Sequence, residues 1–105
     1  MRDSIVIDMK YADYDMIDGS YGVERHHLIG GPNRSKADED GLWCPLSPSH
    51  HNSSKMSVHQ NKEMKVMSHI IAQLAYEVEM LSTGKAKTKE EAKELFRRRY
   101  GKTYV

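Results

Sequence analysis

Five of the six histidines in this chain fall between positions 26 and 59: two adjacent pairs, His26-His27 and His50-His51, and then His59. Imidazole offers a neutral nitrogen to a metal ion and titrates near neutrality, so histidines converging from two elements can hold a cation and move a proton. A lone histidine is usually a satisfied polar group, but two adjacent pairs with a further member ask for more than that. On a strand, His26 and His27 point to opposite faces and cannot chelate one ion together. The pair then divides its labour. One ring binds metal while the other reaches the far side of a reacting group as general base, as hydrolysis of a phosphodiester requires.

The elements that must position these rings can be read from local pattern. Residues 21–29 place β-branched and aromatic side chains around the first pair and read as a strand, closed by Gly30-Gly31-Pro32. Residues 33–41 read as a polar loop. Residues 42–46 read as a second short strand, with Leu42, Cys44 and Leu46 on one face. Pro45 has no amide proton and so puts that strand at an edge or leaves it half paired. Ser47-Pro48 is an N-cap followed by a proline at the first helical position, so His50 and His51 fall in the first turn of a helix. Further upstream, residues 4–9 alternate weakly as a short strand, and residues 10–22 are irregular.

From Asn61 onward, Met64, Met67, Ile71, Leu74, Val78 and Leu81 recur at spacings of three and four. That is the stripe of an amphipathic helix, read as the packing partner of the small sheet, with Gly84 placed to stop it. Thr88-Lys89-Glu90-Glu91 is a capping box for a last helix that carries Ala92, Leu95, Phe96 and Tyr100 on one face, with Gly101 behind it. Trp43 could stack on a base, but a lone Trp on a strand beside such a helix more often belongs to the core. The expected organisation is one α+β domain: an irregular extension over 1–20, a strand–strand–helix motif over 21–60, and two helices over 61–105 that pack on it.

Composition narrows the class. With 105 residues, 38% hydrophobic, 30% charged and only three prolines, the chain is globular rather than fibrous or disordered. One cysteine allows neither an internal disulfide nor a Cys-rich zinc finger, so any zinc site must be built from histidines. The net charge of +1 says nothing about nucleic acid, but its distribution is uneven. Asp3, Asp8, Asp13, Asp15 and Asp18 crowd the start, while Lys85, Lys87, Lys89, Lys93, Arg97, Arg98, Arg99 and Lys102 crowd the end as a phosphate-facing surface or a solvated helix face. No apolar run approaches the ~20 residues that span a bilayer, and no signal-peptide core is present. The expectation is a soluble, cytoplasmic protein with no membrane partner.

These motifs resemble those of the HNH endonucleases. In the nuclease colicins of that family an adjacent His-His pair gives a metal ligand and then the general base, and a Thr-Pro-x-x-His segment gives another ligand; Ser47-Pro48-Ser49-His50-His51 lines up with it. Small phage and prophage proteins of the HNH type carry further matching segments. Here these are His26-His27-Leu28-Ile29-Gly30-Gly31-Pro32-Asn33-Arg34, the stretch from Gly41-Leu42-Trp43 to Asn52, Val58-His59-Gln60-Asn61, and Phe96 through Tyr104.

The resemblance covers residues 21–105 and implies a ββα-metal core with additional C-terminal helices. It implies His27 as general base, and His26, His51 and His59 as ligands of one divalent cation (Mg, Mn, Ni or Zn). It also implies DNA as substrate and products with a 5′-phosphate and a 3′-hydroxyl. Arg34, Lys55 and His50 would contact phosphate. A homodimer would give so small a nuclease stability and a second cut.

The chain also departs from the family. Leu42 stands near the position of the motif asparagine that orients the base. Asp13, Met16 and Ser47 stand where many relatives place the cysteines of a structural zinc knuckle, so no such knuckle is expected. The alternatives are a catalytically degenerate HNH-fold module that binds metal or nucleic acid without cleaving it, and a histidine-based zinc protein that assembles with a partner.

Overall fold

A computed structural model describes residues 2–51 and 57–105. The chain is a small α+β fold. Strand β1 (Glu24–His27), helix α1 (Arg34–Asp40), strand β2 (Trp43–Leu46) and a one-turn helix α2 (Pro48–His51) are followed by two longer helices, α3 (Lys62–Ser82) and α4 (Lys89–Tyr100). The two strands pair antiparallel, with Glu24 opposite Leu46, Arg25 opposite Pro45, His26 opposite Cys44 and His27 opposite Trp43. Strand alternation then separates the histidines: Glu24 and His26 share one face, Arg25 and His27 the other. Arg25 lies over the buried Trp43 ring at 4.5 Å, and the indole N–H donates to Arg2 O (2.9 Å). Trp43 is therefore core.

Both strands are shorter than their patterns suggest, and the chain between them is not a loop. Gly31–Asn33 forms a 3₁₀ turn with Pro32 near its start, and α1 follows directly. Gly41, in the left-handed region at φ +71°, closes that helix, and Leu42 N–H reaches back to Ala37 O (2.9 Å), the 6→1 bond of a Schellman motif. Sequence pattern misses α1 because only Ala37 of its seven residues is apolar and buried, which leaves no helical period to read.

Residues 4–9 do not form a strand either. The Ser4 hydroxyl donates to Trp43 O (2.6 Å) and accepts from Val6 N–H (3.0 Å), and Ile5 N–H donates to Gly41 O (2.9 Å). These local bonds occupy groups that a ladder would need. The segment lies across the end of α1 and ends in a 3₁₀ turn, Met9–Tyr11, capped by Asp8.

Helix α3 starts at Asn61, whose side chain accepts from Met64 N–H, and α4 starts at Thr88, which accepts from Glu91 N–H; Gly101 ends α4 in the left-handed region. The core gathers Leu28, Leu42, Cys44 and Leu46 from the sheet region, Ala72, Tyr76 and Met80 from α3, and Phe96 and Tyr100 from α4. Here the expected stripe is corrected. Met64 and Ile71 pack against the core, but Met67 is 46% exposed, Leu74 44%, Val78 65% and Leu81 38%. The buried face of α3 is instead Ser68, Ala72, Gln73, Tyr76, Glu77 and Met80. Three of these are polar, so hydrophobicity alone selected the wrong side. Gln73 is held by bonds of its own: Nε2 donates to Glu77 Oε2 (2.7 Å), and Oε1 accepts from Tyr104 N–H (2.6 Å). Among the described residues no helix is long and apolar enough to cross a membrane.

Gly41 and Gly84 both have positive φ, but a Cβ on Gly41 would stand 2.5 Å from Asp3 O, while one on Gly84 meets nothing within 4 Å. Gly84→Ala should lose only the left-handed penalty, about 1–2 kcal/mol. Gly41→Ala should lose distinctly more, because the N-terminal segment must move. Urea denaturation of both variants checks the difference.

Candidate metal centre

His26, His51 and His59 converge, one ring nitrogen from each lying within 4.8 Å of the other two. His26 arrives from β1 and is nearly fully buried, and His51 arrives from α2. His59 is brought alongside by backbone pairing: Val58 N–H donates to His50 O (2.8 Å) and His59 N–H to His51 O (3.2 Å). His59 Nε2 thus lies 3.0 Å from His51 Nε2 although eight positions separate the two residues.

Two further side chains fix the rings. Ser68 on α3 donates its one proton to Leu28 O (2.9 Å), so it accepts from His26 Nε2–H at 2.9 Å and leaves the Nδ1 lone pair for a cation. Glu24 Oε1 lies 3.1 Å from His51 Nδ1, which leaves Nε2. Such outer partners set tautomer and ring orientation in metal sites.

Burial, and then the neighbouring His51, His59, His27 and His69, push His26 down from 6.5 to about 3, so its ring stays neutral. Partial burial, His51 and Lys65 also lower His59. The donor set fits a borderline divalent ion. A tetrahedral site with metal–nitrogen bonds of ~2.0–2.1 Å has nitrogens ~3.3 Å apart, so the rings need only small shifts. Three protein ligands also leave a fourth position open, as catalytic sites do.

His27 stands on the other face of β1, its Nε2 3.2 Å from Asp38 Oδ1. The Asp38 carboxylate accepts a hydrogen bond from Nε2–H, which puts the lone pair of the neutral ring on Nδ1. Leu42 takes no part in this: its side chain is in the core and its carbonyl accepts from Leu28 N–H (2.9 Å). Arg34 is exposed at the start of α1 and lines a shallow groove with His27 and Asp38. Lys55 lies outside the described residues.

His50 does not join the trio. Its Nδ1 is 2.8 Å from Asp15 Oδ2, and it belongs to a second group with Asp15 and Asp18. Asp15 is buried, which favours its neutral form, but this is outweighed. Its carboxylate accepts from the amides of Ser47 (2.6 Å), Ile17 (2.7 Å) and Asp18 (3.0 Å) and from His50, which together hold it well below the usual carboxylate range. That carboxylate is a cap joining the N-terminal loop to α2. At the basic C-terminal end, Arg97 and Arg98 pair with Glu94, and Arg99 pairs with Glu39 and Asp40.

Glu24, Asp38 and Ser68 are absent from the sequence reading. Glu24 could be found by the two-residue period that puts it on the face of His26. Asp38 becomes visible only once 34–40 is known to be helical.

His26 binds its proton less readily folded than unfolded, so between pH 6.5 and about 3 the unfolded chain holds more protons and folding weakens as pH falls. His59 and His69, also lowered, act in the same direction. The metal-free protein should lose stability from pH 7 to pH 5 at up to about 1.4 kcal/mol per pH unit for each such proton, and His26→Asn should flatten that slope. Zn²⁺ or Ni²⁺ should raise Tm at pH 7.5 but not at pH 4.5; thermal scans with and without EDTA measure both.

Compared with models of known protein families, with curated proteins and with solved structures, the chain finds no match.

Proposed function

We propose that this chain is a metal-dependent endonuclease of the HNH type that hydrolyses DNA phosphodiesters on a ββα-metal core. The observation that carries the reading is the division of the adjacent pair, with His26 turned to His51 and His59 on one face of β1 and His27 turned to Asp38 on the other. A cleft of about 420 Å³ is lined by His26, His27 and His59 together, so one diester could meet both kinds of group.

A divalent cation held by His26, His51 and His59 would polarise the diester and stabilise the charge on the leaving oxygen. His27 Nδ1 takes a proton from the attacking water. Asp38 orients the imidazole and stabilises the imidazolium that forms, a task that leaves no need for an asparagine at Leu42. Glu24 and Ser68 keep the ligand nitrogens turned inward, and Arg34 holds a neighbouring phosphate oxygen from the Asp38 side. Water adds to phosphorus, the P–O3′ bond breaks, and the 3′ oxygen takes a proton from solvent, giving the 5′-phosphate and 3′-hydroxyl expected of that family. Among the described residues no element carries a base-reading pattern, so affinity should rest on phosphate contacts and fall with salt.

Nicking of supercoiled plasmid with Mg²⁺, Mn²⁺, Ni²⁺ or EDTA is the test. His27→Ala should slow metal-dependent nicking roughly 10²–10⁴-fold with metal affinity unchanged. Asp38→Ala should slow nicking by up to about 10⁴-fold, as for a carboxylate that orients a catalytic imidazole, and His26→Ala should lose the metal itself by calorimetric titration. Nicking that survives His27→Ala removes it as the base. No nicking with any metal favours the binding module that does not cleave.

A further inference from the structure

Beyond its histidine end, the cleft runs between the Gly30-Gly31 turn and the α3 face that carries Lys65 and His69, and ends against Tyr104 near the C-terminus. Its volume falls within the ~300–1,000 Å³ of ligand pockets. The far wall is cationic. Among the described residues Lys65 makes no ion pair with a carboxylate, and the charged groups acting on His69 are Lys65 and Lys102, with no acidic side chain among them.

That wall is also built rather than incidental. The His69 ring lies against the Tyr104 ring at 4.6 Å between centroids, and Lys102 Nζ stands 5.0 Å from the Tyr104 ring. The backbone of Tyr104 and Val105 is tied down by donating to Oε1 of the fully buried Gln73, at 2.6 and 3.2 Å. A buried amide thus holds the last residues as a side of the cleft.

We infer that this end of the cleft is a subsite for the nucleotide next to the scissile phosphate, with Lys65 on its phosphate and the His69–Tyr104 ring pair under its sugar and base. The inference rests on the nuclease reading above. An uncompensated positive wall beside an aromatic pair suits a phosphate attached to a flat, apolar body. It shares one cleft with His26, His27 and His59, so the subsite would align a strand, not a lone anion.

Two substrates separate the subsite from the chemistry: bis(p-nitrophenyl) phosphate, a diester with no flanking nucleotide, and a short single-stranded oligodeoxynucleotide. Lys65→Ala and His69→Ala should lower kcat/KM on the oligonucleotide at least tenfold more than on the small diester. For Lys65→Ala, the slope of log affinity against log salt should shrink by about 0.7, one phosphate contact on a single strand. Zn²⁺ titration should match the parent, which shows that the variants fold and keep the trio. If the parent cleaves both substrates and the variants change both alike, or neither, the subsite is wrong and the nuclease reading stands. If the parent cleaves only the small diester, the subsite is likewise wrong. If it cleaves neither with any metal, both fall.

Discussion

The hydroxyl of Ser68 is the joint on which this small structure turns. By donating to Leu28 O and accepting from His26 Nε2–H it ties β1 to the second turn of α3 and fixes a buried imidazole whose ring also meets those of His51 and His59. A two-stranded sheet is marginal alone, and α3 presents a mixed face to it. The Ser68 link gives that packing a single register. With His26 set, Glu24 two positions earlier falls on the same face and reaches His51, and the paired backbone of 50–51 and 58–59 brings in His59.

A second set of polar bonds does for the N-terminal loop what a metal could do in a chain with more cysteines. Asp15 gathers two amides from its own turn, the Ser47 amide at the end of β2, and the His50 ring. The same carboxylate thus orders residues 15–18 and anchors the start of α2. His50 and His51 are neighbours in sequence with separate tasks, one serving the loop and the other the trio, because one helical step rotates adjacent side chains apart.

Much of this was legible in the residues. The clustering of histidines marked a set of five, the family resemblance singled out His26, His51 and His59 among them, the proline after Ser47 marked α2, and Asn61 and Thr88 marked the starts of α3 and α4. What was hidden has two causes: a helix with almost no apolar side chains, and polar groups inside. Helix α1 buries only Ala37, so no apolar period announces it, and with it went Asp38 as the partner of His27. The face of α3 was misassigned because Ser68, Gln73 and Glu77 are buried through hydrogen bonds that hydropathy does not register, while Leu74 and Val78 stand in solvent. The short 4–9 segment alternates like a strand, yet Ser4 engages its amides locally. In the last two cases a specific bond outweighed an average preference.

Cys44 sits opposite His26 across the sheet, almost inaccessible, and burial with the nearby Asp15 charge pushes its thiol up to about 12. A buried thiol raised in this way is slow to ionise and to meet reagents, so it stays out of oxidation and crosslinking while the core around it is closed. The lone cysteine is thereby a built-in clock: its rate of alkylation counts how often the core between the sheet and α3 opens.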